Sequence, residues 1–209
     1  RVSLAGGAAG VASIVQDMGS ELRLGDGKSI ISSGAQIYSG VVKGLNATLA
    51  STALNAIAAT GSGNDFTGTL HVTAGDTTLS DSNALSVVLD TGATKLTAGQ
   101  ALTVSGTAAS LVTDSEALVF GDTLVTGNGS FTARGAVSQL AGQALQVGGT
   151  TTVDAIGQTV SLTEAGNKFD GLVTLKAGKT NLYASENLNV LLNQTGDTTL
   201  GTDKALTLG

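Results

Sequence analysis

Few residues in this chain are of a type that does acid–base or nucleophilic chemistry. His71 is the only histidine, and cysteine is absent. A zinc site or a nucleophile pair built on these residue types needs at least one more of them. His71 lies between Leu70 and Val72 in a segment of alternating apolar residues, which predicts a strand whose histidine points away from the core. We therefore interpret His71 as a surface residue.

Carboxylates are the other candidates, because a carboxylate pair can hydrolyse a glycosidic bond and oxygen ligands can hold Ca²⁺. Six aspartates mostly occur in turn contexts, where Asp bonds its local backbone: Asp76, Asp81, Asp90, Asp114, Asp122 and Asp197. The nonapeptide GGxGxDxUx of calcium-binding rolls is absent. The sequence predicts no catalytic residue, no metal and no cofactor. A Ca²⁺ site or a polysaccharide-acting enzyme remains an alternative if Asp side chains align.

Composition excludes several classes of function. The net charge is −6, and the ten Lys and Arg residues are scattered singly, so no basic stripe is available for nucleic acid. No run of 18 apolar residues exists, so we expect no insertion into a membrane. Gly is frequent, with 30 residues, whereas Pro and Trp are absent and 41% of the chain is hydrophobic. These values predict a folded chain with a thin core of small side chains.

A long internal repeat is visible. The segment from Gly63 to Leu89 matches the segment from Gly166 to Leu192 at an offset of 103 residues, with twelve identities in 27 positions. One inserted residue near Gln194 shifts the offset, and the match then continues, with Thr91 opposite Thr195. Repeats of this kind indicate stacked structural units. We divide the chain into irregular coils (1–62), a first long repeat (63–165) and the start of a second (166–209), all within one segment (1–209).

A shorter unit, x-Ala-Leu-x-Val, recurs inside the long one. Its central apolar residues follow one another at short steps, except for two longer steps from Leu118 to Leu145 and from Val160 to Leu188: Leu85, Leu102, Leu118, Leu145, Val160, Leu188 and Leu206. We interpret the short steps as a coil of about 17 residues, with an extra strand or loop in the longer coils. Apolar residues alternate with polar ones within each unit, and Gly, Asn, Asp and Ser clusters such as Gly127-Asn128-Gly129 separate the units.

These patterns predict an all-β fold, a right-handed parallel β-helix (β-solenoid) of about ten coils that is irregular at the N-terminal end. Strands stacked about 4.8 Å apart would give a rod of roughly 50 Å. The alternatives are a barrel or a sandwich, which rarely repeat at a short fixed period. Residues 43–60 also fit an amphipathic helix, but Thr and Asn favour two strands there, Asn46–Leu49 and Ala53–Ala58. We expect the chain to be a piece of a longer protein.

The repeated residues have predicted structural roles. Asn64 and Asn167 are expected to cap a turn or to form a ladder along the stack, and Phe66 and Phe169 to fill the coil interior, rather than to stack on a ligand. Gly68 and Gly171 are expected to permit tight corners. The apolar positions of the repeat are expected to point inward: Leu85, Val87, Leu102, Leu145, Leu188 and Leu206. Thr pairs such as Thr77-Thr78 and Thr198-Thr199 are expected on solvent-facing strands rather than as an ice-binding array.

The GN-x-F-x-G box, followed by alternating apolar residues, an AG pair and an ALxV unit, resembles the repeats of large filamentous-haemagglutinin-like exoproteins. Residues Ala141 to Gly171 and Gly34 to Thr52 are similar to them as well, so the resemblance covers about residues 30 to 209. It implies a right-handed β-helix and two-partner secretion through an outer-membrane transporter. It also implies a role in adhesion, aggregation or biofilm at the bacterial cell surface. We do not expect the amino-terminal secretion domain of such proteins within these 209 residues, so the export route is only what the resemblance implies.

We therefore expect a structural and adhesive rod segment of a secreted bacterial exoprotein. Its expected partners are carbohydrate or protein of a cell surface or matrix, and further copies of the chain, end to end or laterally. The alternatives are a self-assembling extracellular filament or matrix subunit and, with less support, a polysaccharide-acting β-helix enzyme.

Overall fold

The computed structural model describes residues 2–4, 6–193 and 196–209. These residues form 24 β-strands and no helix, so nothing in the described chain could cross a membrane as a helix. The predicted all-β parallel solenoid is confirmed, with about 11 turns in place of the ten expected. The insertion predicted near Gln194 and the Thr195 match lie outside the described residues.

The strands follow from a period of two in the sequence. In Thr69–Ala74 the side chains of Leu70, Val72 and Ala74 are buried, whereas His71 between them is exposed. Successive side chains of a strand point to opposite faces, so an alternating segment can bury one face only. A second coil stacked in parallel hides the backbone edge but leaves the outer face in solvent.

Two compact units make up the chain, residues 1–102 and 103–209. The strands of the first unit are β1 (Val2–Leu4), β2 (Ala8–Val11), β3 (Ile14–Gln16), β4 (Glu21–Leu24), β5 (Ser29–Ser32), β6 (Gln36–Tyr38), β7 (Val41–Leu45), β8 (Thr48–Ser51), β9 (Ile57–Ala59), β10 (Asp65–Thr67), β11 (Thr69–Ala74), β12 (Thr77–Asp81) and β13 (Leu85–Ala98).

The remaining strands begin with β14, at whose start the division between the units falls. They are β14 (Ala101–Ser115), β15 (Ala117–Val125), β16 (Gly129–Ala133), β17 (Val137–Gln139), β18 (Leu145–Val147), β19 (Thr151–Leu162), β20 (Lys168–Phe169), β21 (Leu172–Ala184), β22 (Leu188–Leu192), β23 (Thr198–Thr202) and β24 (Leu206–Leu208).

Parallel pairing builds three columns of strands in the first unit. The first column is β1, β4, β7 and β10. The second is β2, β5, β8, β11 and the first half of β13. The third is β3, β6, β9, β12 and the second half of β13. Each of the first four coils therefore contributes one strand segment to each column, and the fifth contributes the two halves of β13 to the second and third columns.

Three columns also build the second unit. One contains the end of β14, then β16, β19, β21, β22 and β24. Another contains β15, β17 and the later halves of β19 and β21, followed by β23. The third contains the end of β15, β18 and β20.

The lengths of the coils differ less than the steps between the ALxV units do. Paired residues lie 17 positions apart at Thr69 and Ser86, and 23 apart at Thr48 and His71. The longer coils carry an extra strand, as predicted, in β18 and β20. The longest ALxV steps are not coil lengths, however, because these units do not all share one column. Leu118 stacks on Val137, whereas Leu145 stacks on Thr123. The long step from Leu118 to Leu145 therefore joins two different sides of the coil.

The N-terminal region consists of strands, and the helical alternative for residues 43–60 is wrong. Strands β7, β8 and β9 occupy this region, each paired in parallel with strands of the neighbouring coils. The pairing of β2 with β5 shifts register between Ala8 and Val11. The pairing of β19 with β21 shifts as well, between Ala155 and Thr159, so such shifts are not confined to the N-terminal region.

The interior of each unit consists of aliphatic side chains with a few aromatic rings. In the second unit the rings of Phe120 and Phe131 meet edge to face, with centroids 4.9 Å apart. Such a pair adds to the burial of the two rings. In the first unit an apolar cavity of about 410 Å³ opens beside the first coil, between Leu4, Ile14 and Leu22, so the interior of this coil is not completely filled.

Candidate functional site

The repeated asparagine forms the most elaborate corner of the first unit. Asn64 is completely buried. Its Oδ1 accepts a hydrogen bond from the backbone N–H of Val42 at 2.7 Å, and its Nδ2 donates to the carbonyl oxygen of Ser80 at 3.0 Å. The Ser82 hydroxyl donates to the Asn64 carbonyl oxygen at 2.9 Å. One side chain thus holds the coil before it and the coil after it.

Its counterpart in the second unit, Asn167, repeats the arrangement. It is completely buried, and its Oδ1 accepts from the backbone N–H of Leu145 at 2.9 Å. The Ser185 hydroxyl donates to its carbonyl oxygen at 2.9 Å. The difference lies at Nδ2, which donates to Oε1 of Gln139 at 2.9 Å instead of to a backbone carbonyl. Both asparagines therefore link neighbouring coils by hydrogen bonds to backbone groups, and Asn167 also to Gln139.

The phenylalanines and glycines of the box are structural too. Phe66 and Phe169 are 2% and 1% exposed and fill the coil interior, which leaves neither ring as a ligand platform. Gly68 has φ +72°, a conformation that L side chains rarely adopt. Gly171 needs no such φ, but a Cβ there would lie 2.5 Å from the Gly149 carbonyl oxygen. One glycine permits the turn and the other permits the close stacking.

The apolar repeat positions point inward with one exception. Five of the six are at most 1% exposed: Leu85, Val87, Leu102, Leu145 and Leu188. Leu206 stacks on Leu188 in the same register but is 43% exposed. No described strand pairs with β24 on its other side, so this side chain is covered from one direction only.

Asp81 is the one candidate carboxylate that lies inside. It ends β12, is 2% exposed, and accepts the backbone N–H groups of Phe66 at 2.6 Å and Asn83 at 2.7 Å. Burial raises the pKa of Asp81 above its ordinary value, and the two N–H donors oppose this shift. The nearby charge of Asp65 raises the pKa further. The prediction of a turn is wrong for Asp81, which is the last residue of β12. Its carboxylate instead holds the backbone of the repeated GN-x-F-x-G box at Phe66.

The other aspartates do not gather. Asp76 lies in a bend between β11 and β12, and Asp197 lies between β22 and β23. The turn predicted for the remaining three is wrong, because they lie within strands: Asp90, Asp114 and Asp122. Across the described part of the chain, no three His, Asp or Glu side chains come close enough to hold a metal ion. Asp114 shares an outward column with Asp154, separated by Thr132. Arg134 contacts Asp114 at 2.7 Å and Lys176 contacts Asp154 at 3.4 Å, so both carboxylates face cations.

His71 is exposed on β11, as predicted. The threonines follow the prediction only in part, because in Thr77-Thr78 the first is 2% exposed and lies in the interior. Its hydroxyl donates to the Gly75 carbonyl oxygen at 3.3 Å, which satisfies a short polar side chain locally. Thr198 and Thr199 are exposed.

A buried polar cluster in the first unit was missed by the sequence analysis. Gln36 and Tyr38 are completely buried, whereas Ile37 between them is 43% exposed. The Tyr38 hydroxyl donates to Gln36 Oε1 at 2.8 Å, and Gln36 Nε2 donates to Ser32 Oγ at 3.0 Å and to the Ala50 carbonyl oxygen at 2.7 Å. Burial raises the pKa of Tyr38 strongly. The alternation of residues 36–38 could have predicted a strand with one buried face. It does not show whether Gln36 and Tyr38 or Ile37 lie on that face.

The outward columns of the second unit carry hydroxyl and amide groups in register. One column runs through Ser138, Ser161, Asn181 and Thr199. Another column on a different side runs through Ser130, Thr152 and Thr174. Stacked strands are about 4.8 Å apart, so each column offers hydrogen-bond donors and acceptors at that spacing. We define these two columns as the first and second polar columns.

The comparisons with known proteins agree with a repeat architecture. The model of a family described as repeats of unknown function (DUF5649) matches residues 107–176. Neither a curated protein nor a solved structure matches the chain. The chain is a repeat β-solenoid, a structural architecture, and residues 107–176 are similar to this family of repeats.

Proposed function

We propose that the chain is a structural and adhesive segment of a secreted bacterial exoprotein, without catalysis of its own. The observation that carries the proposal is the use made of the repeated residues. Asn64, Asn167, Phe66 and Phe169 are buried and hold one coil to the next. A repeat devoted to stacking supports a scaffold whose outer surface makes the contacts. The resemblance to filamentous-haemagglutinin-like repeats supports export and adhesion.

The partner that fits the outer surface is a carbohydrate or a protein of a cell surface or matrix. The first and second polar columns offer neutral hydroxyl and amide groups, which hydrogen-bond to sugars and to peptide groups. The net charge of −6 disfavours a strongly acidic partner. In the parent protein, an outer-membrane transporter of the two-partner pathway is the proposed route out of the cell.

Adhesion can be tested with beads coated with the purified chain. We expect them to bind to cultured epithelial cells, to a matrix protein panel or to a glycan array more than albumin-coated beads do. The variants S161K/N181K and T152K/T174K crowd the first and the second polar column with equal added charge. Each should lower binding severalfold, because both columns are proposed to contact the partner, with circular dichroism unchanged in both. Binding no better than albumin on all three targets would contradict the adhesive role.

Export has a separate test. An antibody against the chain should detect it in the medium or on intact cells of the source bacterium. Detection only after lysis would contradict secretion. Fibres that form with rising concentration, seen by electron microscopy, would instead favour the filament or matrix subunit.

A further inference from the structure

Asn128-Gly129 is the only Asn-Gly dipeptide in the chain. Glycine has no Cβ, so its backbone nitrogen can approach the preceding side-chain amide more freely than that of any other residue. The deprotonated Gly129 nitrogen attacks Cγ of Asn128, the new C–N bond closes a succinimide ring, and the Cγ–Nδ2 bond breaks to release ammonia. Water then opens the ring to aspartate or isoaspartate, so the net change is uptake of one water and loss of one ammonia.

The corner around this dipeptide is held by two neighbouring coils. The Asn128 carbonyl oxygen accepts the backbone N–H of Leu111 at 3.1 Å. The Gly129 N–H donates to the Thr150 carbonyl oxygen at 2.9 Å. Asn128 Oδ1 accepts from the Thr150 N–H at 2.9 Å and from the Thr150 hydroxyl at 3.1 Å. Both reacting groups are therefore committed to the same residue of the following coil.

Close packing reinforces this arrangement. A Cβ at Gly149 would lie 2.2 Å from Asn128 Oδ1, so the amide rests directly against the backbone of that coil. Asn128 itself is exposed, which means that water has access to the side chain. Geometry, and not solvent access, is what keeps Cγ from the Gly129 nitrogen.

We propose that Asn128 is a deamidation site that cannot react while the coil carrying Gly149 and Thr150 is packed against it. Deamidation of Asn128 then shows that this coil has separated from the coil that carries Asn128. The reaction needs the Gly129 N–H and the Asn128 amide to leave Thr150 together. An isoaspartate product would add a methylene to the backbone at the entry to β16 and disturb its register with β19. Opening of the corner would thus become irreversible.

The test is peptide mass spectrometry after incubation of the full chain in mildly alkaline buffer. In urea, residue 128 should deamidate faster than any other asparagine, whereas the folded chain should stay unmodified there over the same period. The variant Gly149→Ala displaces the Asn128 amide from the backbone of the following coil. It should raise the rate of deamidation at residue 128 in the folded chain about tenfold. Gly75→Ala places a comparable clash in the first unit, 2.1 Å from the Leu54 carbonyl oxygen, and should leave the rate at residue 128 unchanged.

The proposal is overturned if the folded wild type deamidates at residue 128 as fast as the chain in urea. It is overturned as well if residue 128 is not preferred in urea. If Gly149→Ala does not fold, the comparison of folded and urea-treated wild type decides the question by itself.

Discussion

At the scale of residues, each of the two repeated asparagines accepts a hydrogen bond from a backbone N–H group of the preceding coil. The N–H groups of Val42 and Leu145 have a side-chain oxygen as acceptor, Oδ1 of Asn64 and of Asn167 respectively. An N–H group buried without an acceptor would cost free energy. This is why the same residue type recurs at equivalent positions of the two long repeats.

Replacing Asn64 with Ala should therefore lower the free energy of unfolding by on the order of 3 kcal/mol. The Val42 N–H and the Ser80 carbonyl both lose their partner, and each buried group left unpaired costs about 1–3 kcal/mol. Urea denaturation measures the change. Asn83→Ala, at an exposed asparagine of the same corner, should stay within about 0.5 kcal/mol of the wild type. Equal losses in the two variants would contradict the role of Asn64 in linking the coils.

The sequence indicated that Phe66 and Phe169 lie inside, but not that Gln36, Tyr38 and Asp81 do. A repeated Asn next to a repeated Phe is a signal in itself. A buried Gln or Asp is not, because its partners are contributed by residues as far away as Ala50 or Phe66. Whether a polar side chain faces inward depends on those partners, and a single strand does not contain them.

At the scale of elements, the coil corners rely on close backbone approach. A Cβ at Gly75 would lie 2.1 Å from the Leu54 carbonyl oxygen of the preceding coil. Leu54 itself has φ +53°, unusual for a branched side chain, so this corner is already demanding. The hydrogen bonds between strands set the distance between stacked coils in a solenoid. The backbone segments of two coils that meet at a corner therefore have little freedom to move apart.

Gly75→Ala is expected to lower the free energy of unfolding by about 1–3 kcal/mol, the range for an added methyl group in a packed site. The matched control is Gly6→Ala, because a Cβ at Gly6 meets nothing within 4 Å and its φ is not in the left-handed region. That control should change stability by less than about 0.5 kcal/mol. Thermal unfolding of both variants checks the pair, and a similar shift in both would show that the corner is looser than described.

At the scale of the whole molecule, each unit is a stack in which a coil contacts only its neighbours. Stability in such a stack is a sum of coil terms and nearest-neighbour terms. In the first unit, burial increases from the partly exposed β1 to β3 toward β11 and β12. In the second unit, burial falls from β19 and β21 to β24, which is exposed throughout.

Amide hydrogen exchange should therefore be graded within each unit. Peptides from β11 and β21 should exchange slowest, and peptides from β1 and β24 fastest, because outer coils open at a lower free-energy cost than inner ones. Exchange followed by mass spectrometry gives this order directly. Uniform protection along a unit would mean that it opens as one cooperative block and not coil by coil.

The amino-acid sequence by itself determined the class of structure. Alternating apolar residues, turn clusters and the two matching segments (63–89 and 166–192) leave stacked parallel strands as the arrangement that buries one face of every strand. The inward positions of Phe66, Phe169 and the repeated leucines follow from the same alternation, because each is one of the apolar residues that alternate with polar ones along a strand.

Only the tertiary structure decided which strands stack on which, and which polar residues lie inside. Leu118 and Leu145 belong to similar sequence units but to different columns, because the coils differ in length and carry the units to different sides. Register is a property of two coils at once. A local pattern describes one strand, and the hydrogen-bond partners that admit Gln36 or Asp81 to the interior come from elsewhere in the stack.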